Sequence, residues 1–376
     1  MRRIPHRKEL RLMPGRVTSR IAVGVMTGKS IDAIDACAIE LDGHGLEMSA
    51  KELGHASQPL GELSEPMRRL ACDEPMQASE IARLRRLLGE ACGEAIAAIG
   101  LESDIDLIAV HGQTVHHAPP DSWQLIDPFP LAHRFKARIV SDLRGMDRAA
   151  GGQGAPITPL SDWILYRRPH PVAIVNLGGF INATFLPGSD ATDPLQHVQG
   201  ADICACNQVL DAIARLGLDQ PYDEGGSRAM AGASDPELVD GLHALLEAQR
   251  TGGRSLGSGD ECLDWVRATL EHHDAGDAAA SAAAAIAACL AAGIKGHDTR
   301  EVLLAGGGTM NRCLVSCIQE SLGVDVDLLD DGMEREAAAM AVLGALAEDG
   351  IPITLAHITG RAETSCMHGS WVAQTP

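Results

Sequence analysis

Aromatic residues make up only 3% of this 376-residue sequence, which contains four Trp, four Phe and two Tyr. A core with so few rings must be filled by Ala, Val, Leu and Ile, and a hydrophobic content of 45% is enough to build one. Disorder is therefore not expected, and the length suggests two domains or one large one. The 40 glycines are expected mainly in loops, where the backbone turns tightly or approaches a ligand.

Positive charge is also scarce, because 31 Lys and Arg face 51 Asp and Glu, which gives a formal net charge of −20. A general nucleic-acid binder needs clustered Lys and Arg to neutralise phosphates, so we expect no nucleic-acid partner. A bound nucleotide is not excluded. Such a site depends on local backbone N–H groups, glycines and a metal ion rather than on the overall charge.

Long apolar runs and disulfide-scaffold spacings are missing as well. No apolar run reaches the roughly 18 residues of a membrane-spanning helix, so we expect no membrane partner. The first twenty residues carry seven Arg or Lys and no apolar stretch. They indicate a solvated basic tail rather than a secretory signal, with a targeting or anion-binding role as the alternative. The ten cysteines favour reduced thiols and a cytoplasmic location.

Short apolar runs alternate with helical patterns along the chain, and several runs end in glycine-containing loops. The predicted strands are residues 20–26, 34–41, 105–110, 137–141, 172–177 and 301–305, and the predicted helices are residues 78–99, 207–216, 278–292 and 334–346. This α/β layout predicts ligands beyond the carboxyl ends of the strands. No internal sequence repeat is visible. The glycine-rich stretch near residue 150 is the best candidate for a domain junction or a substrate loop.

Three strand ends carry small residues that let backbone N–H groups approach phosphate oxygens, at residues 24–32, 176–179 and 306–311. Glycine also ends strands in ordinary turns, so one such junction alone is weak evidence. The first junction contains Gly28-Lys29-Ser30, like the end of a P-loop. Three residues rather than four separate Gly24 from Gly28, so we do not interpret it as a true P-loop.

Two carboxylates stand next to these loops, and each has two interpretations. Asp32 could hold a hydrated Mg²⁺ near phosphates, or it could be a surface carboxylate after a hairpin turn. Asp202 could cap the helix predicted from Asn207, or it could act as a general base that takes a proton from water or a hydroxyl.

His111, Gln113 and Thr114 form a polar cluster at a strand end, and the latter two offer donors and acceptors suited to a sugar. A structural role for His111 is the alternative. His116 and His117 are weak candidates for metal ligation.

The cysteine pairs Cys204 and Cys206, and Cys313 and Cys317, lack the CxxC spacing of structural zinc sites. Free Cys is among the most buried residue types, so buried thiols are the favoured interpretation.

Taken together, these segments resemble the anhydro-N-acetylmuramic acid kinase family from about residue 21 to residue 372. Residues 24–32 are similar to the family's first phosphate segment, GLMSGTSLDG. The other matching segments are residues 109–119, 141–156, 176–182, 306–311 and 336–337. The most specific of them are HGQTV at residues 111–115 and AAGGQGAP at residues 149–156.

The resemblance implies a two-domain actin-like ATPase fold, of the sugar kinase and ribonuclease H-like type, with an interdomain cleft. Residues 1–20 would form the basic tail, residues 21–150 plus 345–376 the N-terminal lobe, and residues 151–344 the second lobe. It further implies a cytoplasmic homodimer that recycles cell-wall amino sugars. Such an enzyme hydrolytically opens 1,6-anhydro-N-acetylmuramic acid and phosphorylates it with ATP and Mg²⁺, giving N-acetylmuramate 6-phosphate.

The resemblance also implies roles for individual residues. Asp202 would be the base that activates water for attack on the anomeric carbon, and the freed ring oxygen would take the γ-phosphoryl group. The residues expected at ATP are Gly28, Lys29, Ser30, Asp32, Gly178, Gly179, Gly306, Gly307, Gly308 and Asn311, with Asp32 helping to place the metal. The residues expected at the sugar are Gln113, Thr114, Arg144 and Glu336.

The catalytic segment departs from the family pattern GFDTGPGN. Asp202 and Asn207 are kept, but Cys204 and Cys206 stand where the pattern has glycine, and side chains there disfavour positive φ. Lys29 stands where the family has Thr, and it could reach a phosphate or block the loop. The alternatives are therefore an inactive member that binds nucleotide or sugar as a sensor, or a kinase of another anhydro sugar. A zinc hydrolase is a third possibility.

Overall fold

The computed structural model describes residues 19–28, 31–252, 256, 259–329, 335–362 and 369–372. The strands are β1 (Arg20–Thr27), β2 (Ala33–Asp42), β3 (Ser49–Pro59), β4 (Leu107–Val110), β5 (Gln113–Ala118), β6 (Asp121–Leu125), β7 (Arg138–Ser141), β8 (Val172–Leu177), β9 (Phe180–Leu186), β10 (Gln199–Ala205), β11 (Glu301–Ala305), β12 (Asp325–Leu328) and β13 (Ser370–Val372). Most of the predicted basic tail lies outside the described residues.

The α-helices are α1 (Ser64–Ala71), α2 (Ala78–Ala98), α3 (Phe129–Arg134), α4 (Gly145–Ala149), α5 (Pro159–Tyr166), α6 (Asn207–Ile213), α7 (Ser227–Ala231), α8 (Pro236–Thr251), α9 (Leu263–Leu270), α10 (Ala275–Lys295), α11 (Arg312–Leu322), α12 (Arg335–Glu348) and α13 (Ala356–Thr359). The predicted helix at residues 207–216 is shorter than expected, because α6 continues as a π-helical turn, Ala214–Leu218.

The first sheet has the strand order β13-β7-β4-β1-β2-β3. β1, β2 and β3 form an antiparallel meander, and β4 and β7 continue the sheet in parallel with β1. Hydrophobic side chains on one face of this sheet pack against α2 and α3. The antiparallel pairing of β1 with β2 confirms the two N-terminal strands that were predicted from their apolar runs.

The second sheet has the strand order β10-β9-β8-β11-β12. β8, β9 and β10 are antiparallel neighbours, and β11 and β12 extend the sheet in parallel with β8. This is the order of β3-β2-β1-β4-β7 in the first sheet, so the same topology occurs twice. The duplicated order is the arrangement expected of an actin-like fold, and it confirms the predicted α/β class.

Helices α5 and α12 lie between the two sheets, in a hydrophobic core to which both sheets contribute. The sequence contains few aromatic side chains, and in this core alanines take their place. Their small side chains let helix and strand approach closely. A Cβ atom on Gly24 of β1 would lie 1.8 Å from the Ala337 carbonyl oxygen of α12, so this approach requires glycine. On the same helix, a Cβ on Gly344 would lie 2.5 Å from the Ala109 Cβ of β4.

A buried ion pair joins these two central helices. Arg335, the first residue of α12, donates from Nε to Asp162 Oδ1 of α5 at 3.0 Å and from Nη2 to Oδ2. Thr184 of β9 donates to the same carboxylate at 2.8 Å. Both charged side chains are almost fully buried. Removing one partner of such a pair typically costs about 3–5 kcal/mol, so this contact fixes the start of α12.

Helix α10 is the central helix of the second lobe, and it packs against α8, α11 and the second sheet. By length and composition α10 is long and apolar enough to cross a membrane, yet 72% of its apolar window is buried inside the protein. A helix that is hydrophobic all round is typical of a protein core as well as of a membrane span.

The division into lobes at residues 150 and 345 stays a prediction. α12 begins at Arg335 and packs on β1, β2 and β4 of the first sheet, which favours a return to the first lobe at Arg335. β13 then pairs with β7 and completes the first sheet at its edge.

Candidate active site

Three parallel strands of the first sheet end at one edge, where ligands of α/β sheets usually bind. β1 is followed by Gly28, β4 by His111, and β7 by a short loop that leads to Arg144. The hydrogen bonds described next join these loops to one another. The structure therefore brings together the described first-lobe residues that were predicted from three separate motifs.

Gln113 lies at the start of β5 with only 1% of its surface exposed. Its Nε2 donates to the carbonyl oxygens of Gly28, at 3.4 Å, and Thr114, at 3.2 Å, so it ties the first loop to β5. Its Oε1 is buried without a hydrogen-bond partner. The Thr114 hydroxyl accepts from Gln124 Nε2 at 3.4 Å. Gln113 thus supports the first loop and keeps an acceptor oxygen unused.

His111, which is buried, and Arg144, which is half-buried, form a polar pair next to that loop. Nδ1 of His111 lies 2.8 Å from the Gly112 carbonyl oxygen, and its Nε2 accepts from Arg144 Nε at 2.9 Å. Burial, and then the adjacent Arg144 charge, lowers the pKa of His111 to about 3. The imidazole is therefore neutral, with the proton on Nδ1 and the lone pair of Nε2 facing the guanidinium. The sequence pattern placed His111 in a polar cluster or indicated a structural role, and neither interpretation included the hydrogen bond from Arg144.

Arg144 is held from two sides, because its Nη1 also donates to the Gly154 carbonyl oxygen at 2.7 Å. Burial lowers the pKa of Arg144 to about 10, an effect that the nearby Glu336 charge opposes. The side chain remains a cation at neutral pH. The predicted sugar-contact residue is thus locked to the loop that carries the AAGGQGAP motif.

Asp147 holds the AAGGQGAP loop in place, a role that the sequence did not predict. Its carboxylate accepts from Gly154 N at 2.7 Å and from the hydroxyls of Thr354 and Thr359 at 2.6 and 2.7 Å. Arg361 Nε lies 3.6 Å from the same carboxylate. The signal available in the sequence was the position of Asp147 within the matched motif, but its two threonine partners lie 207 and 212 residues away.

On the second sheet, the loop after β8 and the start of α6 are joined by backbone hydrogen bonds. Cys206 N donates to the Gly179 carbonyl at 2.9 Å and Asn207 N to the Gly178 carbonyl at 3.1 Å. The Asn207 side chain donates from Nδ2 to Leu177 O at 3.1 Å. A Cβ on Gly178 would be in ordinary van der Waals contact with Asn176 Nδ2 and Phe180 O, each at 3.4 Å.

The loop after β11 packs against the loop after β8. A Cβ on Gly306, which has φ +84°, would lie 2.4 Å from Asn176 Oδ1, and one on Gly308 would lie 2.6 Å from Leu177 Cβ. Both positions therefore require glycine. A Cβ on Gly307 would meet nothing within 4 Å. The two predicted glycine junctions of this sheet are neighbours, and the space at Gly307 is open.

Asp202 lies within β10 and not immediately before a helix, so the helix-cap interpretation is wrong. It pairs with Asn182 of β9 at a bulge in the strand, and its Oδ2 accepts from Leu256 N at 3.0 Å. The side chain is half-buried. β10 begins beside the AAGGQGAP loop, because a Cβ on Gly200 would lie 3.6 Å from Pro156 Cγ. Asp202 is therefore on the strand adjacent to the loop that holds Arg144.

The two cysteines in the catalytic segment do not force an unusual backbone. Cys206 has φ −134° where the chain enters α6, and Cys204 is not among the residues with positive φ. Both thiols are fully buried in the core of the second lobe. Burial raises the pKa of Cys206 to about 12, so this thiol is protonated at neutral pH. The expected strain from replacing glycine is absent at these two positions.

The predicted metal ligand Asp32 is exposed just before β2, and its Oδ1 accepts from Ala33 N at 2.9 Å. A carboxylate in this position fits a hydrated Mg²⁺, which takes one or two carboxylates and keeps several waters. Lys29 and Ser30, the other predicted residues of this loop, lie outside the described residues.

Glu336 and Asn311 differ in how far the structure connects them to the cleft. Glu336 is half-buried in the first turn of α12, and its charge acts on Arg144. Asn311 caps α11, since its Oδ1 accepts from Leu314 N at 3.1 Å. The side chain of Asn311 therefore has a structural task that its predicted nucleotide contact did not include.

Within the described residues, no group of three or more His, Cys, Asp and Glu side chains could hold a metal ion. His116 and His117 are exposed on the β5–β6 hairpin, and His117 Nδ1 lies 2.9 Å from Ser122 Oγ. Cys313 and Cys317 lie one helical turn apart on α11. The zinc-hydrolase alternative therefore has no ligand set in the part of the chain that is described.

The edge of the second sheet offers open space at Gly307 and the carboxylate of Asp202, and the edge of the first sheet offers the fixed cation of Arg144. The family model of anhydro-N-acetylmuramic acid kinase matches residues 20–373. The chain belongs to the anhydro-N-acetylmuramic acid kinase family. Members of this family transfer a phosphoryl group to a sugar hydroxyl, so the chain is a phosphotransferase.

Curated relatives with the family name match almost end to end. The chain is 32% identical to a protein of Neisseria meningitidis serogroup B, with 94% of this chain and 98% of that one covered. It is 33% identical to a protein of Acidiphilium cryptum, with 90% and 94% covered. Each of these relatives is named anhydro-N-acetylmuramic acid kinase.

Solved structures with similar folds are more distant. A ROK-family glucokinase from Streptomyces griseus, in complex with glucose and AMPPNP, is 15% identical with a TM-score of 0.40, over 86% of this chain and 99% of that chain. Component A of the (R)-2-hydroxyglutaryl-CoA dehydratase of Acidaminococcus fermentans is 13% identical with a TM-score of 0.43, over 87% and 98%.

Proposed function

We propose that the protein uses ATP and water to convert 1,6-anhydro-N-acetylmuramic acid into N-acetylmuramate 6-phosphate. The observation that carries this proposal is the family match over residues 20–373, together with the retention of Asp202 beside the AAGGQGAP loop. The reaction would serve the recycling of cell-wall amino sugars.

In the proposed reaction, Asp202 takes a proton from water while the water oxygen attacks the anomeric carbon. The bond from that carbon to the bridging oxygen breaks, and the freed oxygen takes the γ-phosphoryl group of ATP as ADP leaves. A half-buried carboxylate that accepts one backbone hydrogen bond, from Leu256, keeps lone pairs for this proton transfer.

The sugar would lie between Asp202 and the first-lobe edge that holds Gln113, Thr114, Arg144 and Glu336. His111 and the Gly154 carbonyl fix the Arg144 guanidinium, so its remaining donors can meet the sugar without reorganisation. The unused Oε1 of Gln113 is suited to accept from a hydroxyl or an N-acetyl N–H group. These contacts are consistent with a substrate rich in hydroxyl and amide groups.

The phosphates of ATP would lie over Gly178, Gly179 and residues 306–308, with the open space at Gly307 as their entry. Gly28 and Asp32 would bound the site from the first lobe, and the family resemblance adds Lys29 and Ser30 to the expected nucleotide contacts. Bound Mg²⁺ would supply charge neutralisation of the phosphates, with Asp32 as the protein ligand. In this proposal Asn311 contributes by capping α11 next to the phosphate loop.

We also propose a cytoplasmic location and a homodimer. All nine described cysteines are free, which is consistent with a reducing compartment. The homodimer is carried over from the family resemblance alone.

The test is ADP release by the purified protein with Mg-ATP and anhydro-N-acetylmuramic acid. We expect turnover by the unchanged protein, and we expect Asp202→Asn to reduce kcat by about 10³-fold or more while sugar binding persists, because the base that activates water is removed. Sugar or ATP binding by the unchanged protein without ADP release would indicate a sensor instead. Turnover only with a different anhydro sugar would correct the substrate.

A further inference from the structure

The strand that carries Asp202 lies at the edge of the second sheet and is irregular at that residue. Among the described strands β10 pairs with β9 alone, so its other edge has no neighbouring strand. The pairing of β10 with β9 shifts between Asp202 and Cys204, which is a β-bulge. A bulge interrupts the regular ladder and re-aims the side chains beside it. Contacts from the strand-free edge of β10 therefore help to set the direction of the Asp202 carboxylate.

Gln249 of α8 lies on that edge, and both ends of its amide group are engaged. Its Oε1 accepts from the Ala205 backbone N at 2.9 Å, where a neighbouring strand would otherwise supply the acceptor. Its Nε2 donates to the Asp260 carbonyl oxygen at 2.7 Å and lies 3.4 Å from Cys262 Sγ. Asp260 and Cys262 belong to the α8–α9 segment, residues 252–262. One amide group thus joins the edge of β10 to this segment.

The α8–α9 segment also contacts Asp202 directly. Leu256, whose side chain is buried, donates its backbone N–H to Asp202 Oδ2 at 3.0 Å. A hydrogen bond to a carboxylate is strong and directional, so a shift of the segment would turn the carboxylate or release it. Gln249 is therefore connected to Asp202 by two routes, through Ala205 of the same strand and through the segment that carries Leu256.

An amide side chain suits this position better than its closest substitutes. Gln249 uses an acceptor oxygen toward β10 and a donor nitrogen toward the α8–α9 segment. An ionised carboxylate has the acceptor but no donor, and a thioether of similar length has only a weak acceptor. The two hydrogen bonds can thus be removed separately by substitution.

We propose that Gln249 is a positioning residue that holds the Asp202 carboxylate in the direction required for water activation, through β10 and through Leu256. The proposal rests on the proposed function, and it names a residue outside every matched motif. The competing explanation is that Gln249 only fastens α8 to the second sheet. In that case it stabilises the lobe without acting on Asp202.

The first measurement separates kcat from binding in Gln249→Glu and Gln249→Met. Gln249→Glu keeps the acceptor for Ala205 N and loses the donor to Asp260, whereas Gln249→Met loses both hydrogen bonds. The side chain lines an open cavity of about 420 Å³, so neither change overpacks the core. We expect both variants to lower kcat by about tenfold, because the base is displaced from the attacking water. Calorimetric Kd values of the sugar and of ATP should change by less than about threefold. Unchanged kcat, or a loss confined to the Kd values, would overturn the proposal.

The second measurement does not depend on turnover. In protein that carries isotope-labelled leucine, the Leu256 amide NMR signal is identified by its absence in Leu256→Ile. We expect Asp202→Asn to shift this signal, because the amide donates to Asp202, and we expect both Gln249 variants to shift it too. Gln319→Met is the matched control, since Gln319 is exposed on α11 of the same lobe, and it should leave the signal in place.

The two measurements distinguish the possible failures. A Leu256 signal that stays in place in the Gln249 variants would overturn the proposal even if ADP release falls. If Gln249→Met does not fold, Gln249→Glu decides, because it has nearly the same shape and keeps the contact to β10. Absence of ADP release by the unchanged protein would refute the proposed function, while the Leu256 signal would still test Gln249.

Discussion

The two sheets share one strand order, yet different chemical groups form their ligand-facing edges. The edge of the first sheet holds buried or half-buried charged and polar side chains, above all His111, Arg144 and Asp147, which hydrogen bonds join directly or through Gly154. The edge of the second sheet holds glycines whose neighbours are backbone atoms and uncharged side chains, namely those of Asn176, Leu177, Asn207 and Gln208. The same topology therefore positions side chains in one lobe and exposes backbone in the other.

This difference matches the chemistry proposed for each lobe. A sugar with several hydroxyl groups is recognised through directional donors and acceptors, which only fixed side chains provide. Phosphates are recognised through backbone N–H groups at loops and helix starts, where side chains would obstruct the approach. The comparison predicts that a substitution in the first lobe disturbs its whole polar network, whereas a substitution in the second lobe affects only the proposed phosphate loops.

The largest effect is expected from Asp147→Asn. The change removes the negative charge opposite the buried Arg361 and turns an amide donor toward groups that themselves donate. Breaking a buried charge pair in this way costs about 3–5 kcal/mol. Urea unfolding should show this loss, and KM for the sugar should rise because the Gly154 loop is released.

Arg86→Gln is the control for Asp147→Asn. Arg86 pairs with Glu90 on the exposed side of α2, and loss of such an i,i+4 pair costs about 0.3–0.5 kcal/mol. A loss below about 1 kcal/mol in Asp147→Asn would mean that the first-lobe network is not what holds the loop, and the contrast between the lobes would weaken.

A smaller and more local effect is expected from Gly308→Ala in the second lobe. The new Cβ would lie 2.6 Å from Leu177 Cβ and 2.8 Å from Leu177 O, so the two phosphate loops must separate. Such overpacking costs about 1–3 kcal/mol. KM for ATP should rise about tenfold while the Kd of the sugar stays unchanged, which sharpens the division of labour between the lobes.

Gly307→Ala separates packing from ligand contact, because a Cβ there meets nothing within 4 Å. We expect this variant to keep its stability and still to raise KM for ATP, since the methyl group enters the space proposed for phosphate. Unchanged KM in both variants would argue against a phosphate site at residues 306–308.

The sequence predicted those parts of this site that depend on local signals. Glycines after apolar runs identified the loops at residues 178–179 and 306–308, since the same backbone requirement holds wherever a strand turns sharply. The sequence did not reveal that the two sheets share one topology, because strand order depends on pairing between distant segments. It also placed Asp202 before a helix, although the residue belongs to β10 and pairs with Asn182.

The polar network could not be predicted from local sequence patterns either, because its contacts join residues that are distant in the sequence. Asp147 meets Thr354 across 207 positions, and Asp162 meets Arg335 across 173. A single Asp in a helix-like stretch looks like a solvated carboxylate, and only the folded chain shows that it is buried. The family motif indicated that the region matters, but the partners and the neutral state of His111 required coordinates.

At neutral pH the smallest effect is expected from His111, and it grows only as the pH falls. His111 has a pKa of about 3 in the folded protein, against 6.5 for an ordinary histidine, so between these values the unfolded chain binds the extra proton. Stability from the neutral imidazole is therefore complete above pH 6.5 and is lost as the pH falls toward 3, by up to about 1.4 kcal/mol per pH unit. His111→Gln keeps an acceptor for Arg144 Nε but has no proton to bind. The unfolding midpoint of this variant should fall less steeply between pH 6.5 and 4 than that of the unchanged protein. Parallel curves would show that burial beside Arg144 does not hold the imidazole neutral. That result would contradict the hydrogen bond described between His111 and Arg144.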